Sequence, residues 1–99
     1  LGVVLDAANL LSPETLPVQH QVIAQAAQLL GGSLLLAHIK EIDSSGRVTV
    51  PGRGAVDFPA FVAALGSIAY DGALIAHGFS QEYAEEVSKL LAHLIGNPS

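Results

Sequence analysis

The fold of this chain is decided by the stretch SLLLAHIKE, residues 33–41. A continuous apolar run follows the serine, and two glycines stand before it at residues 31–32. Because the glycines mark a break and a polar segment follows, the run predicts a buried strand rather than a buried helix. His38, Lys40 and Glu41 stand at its carboxyl end. This is where α/β folds concentrate their chemistry, so these side chains are the first candidates for a site.

Two other stretches share this apolar character, residues 2–6 and residues 73–77. Each is predicted to be a strand. Three helices are also predicted: the first begins near Pro17, the second has Asp57 as its N-cap, and the third has Ser80 as its N-cap. Apolar strands that alternate with helices are typical of a parallel sheet with helical crossovers. The sequence therefore predicts an α/β fold of three parallel β-α units. Each strand is expected to be buried on both faces, and the sheet to have two open edges.

The composition predicts that this chain does not stand alone. It has 99 residues, enough for one domain at most, and 51% of them are hydrophobic while only 13% are charged. So much apolar surface is hard to bury in a short chain. We therefore expect part of it to meet a second copy, as in a homo-oligomer, or a missing segment of a longer polypeptide.

The charge pattern argues against two classes of partner. The net charge is −5, and the four Lys and Arg residues are scattered. Nucleic acids and anionic membrane surfaces require clustered basic residues, so neither is an expected partner. The chain has no cysteine, which excludes disulfides and thiolate chemistry and fits a cytoplasmic protein. No apolar run approaches the roughly 20 residues of a transmembrane helix.

A possible metal ligand stands at the end of each predicted strand: Asp6, His38 and His77. The carboxyl ends of parallel strands meet at one edge, and a carboxylate with two imidazoles suits Mn, Zn, Fe or Co. Each residue also has a structural interpretation. Asp6 can cap the turn that follows it, and the two histidines can be hydrogen-bonded residues at strand ends.

The polar residues that follow the central strand have two interpretations. Lys40 and Glu41 can bind charged groups or pair with each other on the surface. Residues 43–56 are predicted to be a loop, with a turn at residues 44–46. Within it, Arg53 stands between two glycines and is either a clamp for a carboxylate or phosphate or a solvated side chain.

Four motifs together resemble a known family. They are LDAAN at residues 5–9, AHIKE at 37–41, PGRGAVDF at 51–58 and YDGALI at 70–75. This pattern is similar to the C-terminal part of xylose-isomerase-like TIM barrels, and most similar to the sugar phosphate isomerase/epimerase proteins. The resemblance implies that residues 1–99 form one partial domain. They would correspond to the last three of the roughly eight units of the barrel, and the missing partner would be an N-terminal half-barrel.

The resemblance also implies roles for individual residues. Asp6 and His38 match the Asp and His that bind one divalent metal in the family, so the implied cofactor is Mn, Zn, Co, Fe or Mg. Asn9 and Arg53 match positions that contact or border the substrate. Glu41 follows a lysine where the family often has a Lys-Asp pair, and it is a candidate substrate-binding residue.

One departure from the family concerns its catalytic base. Members end the last strand in a metal-binding, proton-transferring Glu, and this chain has His77 there. A neutral imidazole is a base near neutral pH, so His77 is expected to act as a third ligand or as the base. Lys40 is the other candidate catalytic residue.

Three functions follow as hypotheses. The first is a metal-dependent sugar or sugar phosphate isomerase or epimerase, which acts by proton transfer next to a carbonyl. In this hypothesis the isolated chain is incomplete as a catalyst. The second is a non-catalytic barrel fragment or accessory domain. The third is a DNA-repair enzyme that resembles the AP endonucleases, against which the acidic charge and the lack of a basic patch argue.

Overall fold

The computed structural model describes residues 3–68, 70, 72–76 and 78–96. These residues form an α/β fold with a three-stranded parallel sheet, four α-helices and a two-stranded antiparallel hairpin. The three parallel strands of the prediction are confirmed, whereas the hairpin lies inside the predicted loop. The elements are β1 Val3–Asp6, α1 Ala7–Leu10, α2 Gln19–Leu30, β2 Leu34–Ile39, β3 Glu41–Ile42, β4 Val48–Thr49, α3 Phe58–Ser67, β5 Ala73–Ala76 and α4 Ala84–Leu94.

The strand order of the parallel sheet is β1-β2-β5, which is also the order along the chain. Asp6 pairs with His38 in register, and Ile39 pairs with Ala76. Right-handed crossovers between strands in this order bring the connecting helices to the same face of the sheet. In agreement, α2 packs against α3, and α3 packs against α4, as one helical layer.

The hydrophobic core lies between this helical layer and one face of the sheet. The strands contribute Leu5, Ala37 and Ile39, and the last two are fully buried. From the helices, Ile23 and Phe61 are among the largest buried side chains. Aliphatic and aromatic side chains that interdigitate in this way supply the main stabilisation of the fold.

The opposite face of the sheet is more exposed than the sequence predicts. Val4 on β1 is 49% exposed and Ile75 on β5 is 42% exposed, while Leu36 and His38 between them are partly buried. The expectation that each strand is buried on both faces is therefore wrong for β1 and β5 within this chain. The reason is the strand order, because crossovers of one hand between successive neighbours cover a single face.

The helix starts agree with the sequence at Asp57 and differ at Ser80. The Asp57 carboxylate accepts a hydrogen bond from the Ala60 backbone N–H at 3.0 Å, so it is the predicted N-cap of α3. Near Pro17, a 3₁₀ turn at Leu16–Val18 leads into α2. The prediction of a Ser80 cap is wrong in detail, because its hydroxyl donates to the Glu82 carboxylate and a 3₁₀ turn separates it from α4.

The β3–β4 hairpin is organised by the side chain of Asp43. One of its carboxylate oxygens accepts from the Ser45 N–H at 2.9 Å, the Ser45 hydroxyl at 2.6 Å and the Arg47 N–H at 3.1 Å. Gly46 completes the turn with a φ of 89°, a conformation that glycine adopts without strain. The predicted turn at residues 44–46 is thus present, and it joins two short strands.

Candidate functional site

The candidate site lies at the carboxyl edge of the parallel sheet, which we call the rim. Asp6 ends β1, and His38 stands beside it on β2. His38 Nδ1 lies 3.8 Å from Asp6 Oδ2, and the two side chains are 24% and 8% exposed. Both alternate with core residues and therefore point to the more exposed face of the sheet. The structure brings these two predicted ligands together.

Asp6 also performs the structural role that the sequence allowed. Its Oδ1 atom accepts a hydrogen bond from the Asn9 backbone N–H at 3.1 Å and caps the short helix α1. The two carboxylate oxygens thus have different neighbours, since Oδ1 caps the helix and Oδ2 faces His38. The cap holds the carboxylate in one orientation, so the capping and ligand interpretations are compatible.

The donor atoms fit a divalent transition metal better than magnesium. A carboxylate oxygen and an imidazole nitrogen are common ligands of Zn, Mn and Fe, whereas Mg²⁺ prefers oxygen alone. Two ligands bonded at about 2.1 Å to one ion lie roughly 3.0 to 3.4 Å apart, so a small side-chain adjustment from 3.8 Å suffices. Among the described residues no group of three His, Asp or Glu side chains is placed to hold an ion. His77 lies outside those residues, and its role as third ligand or base stays a prediction.

Asn9 and Lys40 border the same edge. Asn9 lies on α1 with an exposed side chain. Lys40 directly follows β2 and is partly buried, and a Cβ added to Gly78 would lie 3.2 Å from its Cγ atom. The lysine stem thus lies close to the chain that follows β5. Their substrate-binding and catalytic roles stay predictions.

The hairpin spans the rim from one side to the other. A Cβ at Gly46, in its turn, would lie 3.1 Å from Cγ of Pro13, in the segment after α1. At its other side, the hairpin lies close to Gly78, which follows β5. A Cβ added to Gly78 would lie 3.5 Å from a methyl carbon of Val48. The hairpin therefore bounds the access to the strand ends, and it is the main feature of the site that the sequence interpretation missed. Its signal was the Asp-Ser-Ser-Gly turn between short β-prone segments.

Glu41 is buried, with 1% of its surface exposed. Its Oε1 atom accepts from the Gly52 and Gly54 N–H groups at 3.3 and 3.1 Å, and Oε2 accepts from Val56 N–H at 2.9 Å. Burial raises the pKa of this carboxyl above its usual value, and the backbone hydrogen bonds oppose the shift. The interpretation of a surface pair with Lys40 is wrong for this residue. A direct contact with substrate would need residues 51–56 to move, so that role stays a prediction.

Arg53 binds a carboxylate in two-point geometry, as its residue type predicts, and the carboxylate belongs to this chain. Its Nε and Nη2 atoms donate to the two oxygens of Glu86 at 2.7 and 2.6 Å. Its guanidinium also lies 4.9 Å from the ring centre of Tyr83. The hydrogen bonds to Arg53 lower the pKa of Glu86. Arg53 thus ties residues 51–56 to the start of α4, and its contact with a substrate stays a prediction.

A second polar cluster joins α2 to the start of α3. The Gln19 side chain donates to the Ala55 carbonyl at 2.9 Å and accepts from the Asp57 N–H at 2.7 Å. His20 Nε2 lies 2.6 Å from Asp57 Oδ2, and the histidine side chain is 70% exposed. Sequence patterns gave no signal for this cluster, because its contacts join residues far apart in the chain.

No family model, no curated protein and no solved structure matches this chain. Along the part of the chain that the structure describes, the helices are too short or too polar to cross a membrane.

Proposed function

We propose that this chain is part of a metal-dependent isomerase or epimerase of TIM-barrel type that acts on a sugar or sugar phosphate. The observation that carries the proposal is the pair Asp6 and His38, at adjacent strand ends, with Oδ2 and Nδ1 3.8 Å apart. A carboxylate and an imidazole at this position suit a divalent cation of the Mn, Zn, Fe or Co type.

A bound cation of this kind polarises the carbonyl and hydroxyl oxygens of a sugar. Asp6 and His38 would hold it, with the Asp6 carboxylate fixed by its hydrogen bond to Asn9. The exposed Asn9 amide would bind a sugar hydroxyl. The Lys40 ammonium group would stabilise negative charge that develops on an oxygen, and His77 would take the proton from the adjacent carbon.

The proposal includes a partner that completes the barrel. Val4 and Ile75 are exposed on the face that carries Asp6 and His38, and apolar side chains on a parallel sheet are normally covered. Both outer strands, β1 and β5, also have an unpaired edge among the described strands. Further strands, from a second copy or from an N-terminal half-barrel, would continue the sheet and supply the missing ligands.

Metal binding by variants tests the proposal. The experiment measures Mn²⁺ binding by the EPR signal of the free ion, and Zn²⁺ binding by calorimetry, for Asp6→Asn and His38→Gln. Each variant is expected to weaken binding roughly tenfold or more. His20→Gln is the matched control, because it also removes a histidine that contacts an aspartate, away from the rim. Equal affinity in all four proteins would show that the pair is not a metal site.

Turnover separates the enzyme from the accessory domain. The chain would be assayed with Mn²⁺ for isomerisation and epimerisation of sugars and sugar phosphates, alone and together with barrel segments that complete it. Activity that needs the completing segment and is lost in Asp6→Asn supports the enzyme. Metal binding without turnover under every combination would favour the non-catalytic domain.

A further inference from the structure

We propose that Glu41 is a positioning residue that shapes the segment 51–56 at the rim and thereby fixes the location of Arg53. The inference goes beyond the metal site and does not depend on it. Its basis is the set of three backbone N–H groups that converge on one buried carboxylate.

The carboxylate holds the segment on both sides of Arg53. Gly52 and Gly54 flank the arginine, and both donate their N–H groups to Glu41 Oε1. Val56 donates to Oε2 and links the same carboxylate to the start of α3. Because the hydrogen bonds reach alternate residues, they specify the path of the segment rather than a single contact.

Close packing supports the same conclusion. A Cβ added to Gly54 would overlap the Ile42 carbonyl oxygen and would lie 2.5 Å from Glu41 Cγ. Only glycine allows the backbone to approach the side chain this closely. On the outer side, a Cβ at Gly52 would lie 3.4 Å from a methyl group of Leu90 on α4. The segment is therefore held between Glu41 and the helical layer.

Arg53 extends this arrangement to the surface. Its two hydrogen bonds to Glu86 require the guanidinium to stand at one place relative to α4. Since Glu41 fixes the backbone on either side of Arg53, it acts on the guanidinium through the segment and not by contact. Glu41 is thus assigned to positioning, and Arg53 is the group that it presents.

The other charged groups near Glu41 have contacts of their own. Arg53 binds Glu86, Asp43 caps the hairpin turn, and Asp57 caps α3 and contacts His20. Lys40 precedes Glu41 and packs its stem toward Gly78, and Arg47 is exposed on the hairpin. The pKa of the Glu41 carboxyl is therefore determined by its burial and by its backbone hydrogen bonds.

Hydrogen exchange in Glu41→Gln tests the role on the 99-residue chain. The amide keeps the shape of the side chain but removes one acceptor and the charge. Exchange at the Gly54 and Val56 amides is expected to accelerate about tenfold, while the amides of Ala37 and Ile39 in the sheet keep their rates. The NMR signal of Arg53 Nε–H is expected to broaden. Glu85→Gln, at the exposed start of α4, is the control and should change neither readout.

Two results would overturn the proposal. Equal acceleration in the segment and in the sheet would mean that Glu41 supports global stability only. Unchanged exchange and an unchanged Arg53 signal would mean that the segment keeps its path without the carboxylate.

A pH titration of the unsubstituted chain gives an answer even where Glu41→Gln does not fold. The Val56 amide shift should follow one titration with a midpoint above that of an ordinary Glu, since burial raises the pKa of Glu41. Repeating it in Asp57→Asn and in Glu86→Gln removes, in turn, the carboxylate that follows Val56 and the one that binds Arg53, and the pKa of each is lowered. A Val56 amide shift that follows no carboxyl titration would contradict the proposal.

Discussion

At the scale of single residues, four carboxylates of this chain act on backbone N–H groups. Asp6, Asp43 and Asp57 each accept from the start of a helix or turn, and Glu41 accepts from three residues of one segment. An acid after an apolar run is therefore ambiguous in sequence, because caps and metal ligands use the same residue type at the same place. Asp6 shows that one side chain combines the cap with a position beside His38.

Asp57→Ala is expected to destabilise the fold by about 1 kcal/mol, the usual loss for an N-cap. The substitution removes the hydrogen bond from Ala60 and the contact with His20. His20→Ala removes only the contact and should cost less. Urea unfolding followed by circular dichroism measures both, and equal losses would show that the cap contributes nothing.

The pH dependence of stability should also report Asp57. The Ala60 N–H and His20 lower the pKa of Asp57 in the folded chain. Its stabilisation is therefore present above the pKa of the unfolded state and is lost as the pH falls through the folded pKa. The contribution of Glu41 to stability changes with pH in the opposite direction, because its raised pKa means that ionisation opposes folding. The free energy of unfolding would be measured at neutral and at acidic pH. Its decrease on acidification should be smaller in Asp57→Asn than in the unsubstituted chain.

Gly54→Ala is expected to destabilise the chain by roughly 1–3 kcal/mol through overpacking against Ile42 and Glu41. Gly32→Ala is the matched control, since a Cβ there meets no atom within 4 Å. Thermal unfolding of the two variants separates crowding from the general effect of replacing glycine. A similar melting temperature for both would argue against the tight approach at Gly54.

At the scale of elements, one surface interaction connects the segment 51–56 to α4. Arg53 binds Glu86 with two hydrogen bonds and lies over the ring of Tyr83. The groups are exposed, so solvent and salt screen their attraction. The interaction is therefore expected to orient the segment more than to stabilise the whole fold.

Glu86→Gln should loosen the segment 51–56 with little change in global stability. Glu85→Gln is the control, because Glu85 also lies in the first turn of α4 and its nearest basic partner is Lys89. Hydrogen exchange at the Arg53 amide should rise in Glu86→Gln alone, and high salt should reduce the difference between the variants. An effect of the same size in Glu85→Gln would trace the change to helix electrostatics.

The sequence was sufficient for the three parallel strands and for the start of α3, and insufficient for the hairpin and for the contacts of the polar side chains. Apolar runs with flanking glycines located β1, β2 and β5, and an acid before Phe58 located α3. The hairpin was missed because its strands have two residues each, too few to show an alternating pattern. The burial of Glu41 was missed for another reason. Its partners are backbone groups 11 to 15 residues away, which residue type does not reveal.

At the scale of the whole molecule, the helix-free face of the sheet is an apolar surface that no described helix covers. Val4 and Ile75 are exposed on it, while the helical layer covers the other face. A parallel sheet with apolar side chains on both faces normally has both faces covered. The sequence indicated this surplus of apolar surface through composition, and the strand order locates it.

Ile75→Ser is expected to reduce self-association without unfolding the chain. Leu29→Ser is the control, because Leu29 is 86% exposed on α2, in the helical layer. Light scattering coupled to size-exclusion chromatography measures both variants over a range of concentrations. If Leu29→Ser reduces association and Ile75→Ser does not, the helical surface rather than the sheet is the interface.

The strand order has an evolutionary consequence. Each strand lies beside its predecessor, and the helices share one side of the sheet. A unit of one strand and one helix can therefore be added at an edge without a change in the path of the existing chain. Recombination between genes at Gly31–Ser33, between α2 and β2, would exchange whole units. A crossover inside a unit would instead separate a strand from the helix that covers it. Such a sheet can therefore lengthen by duplication, one strand and one helix at a time.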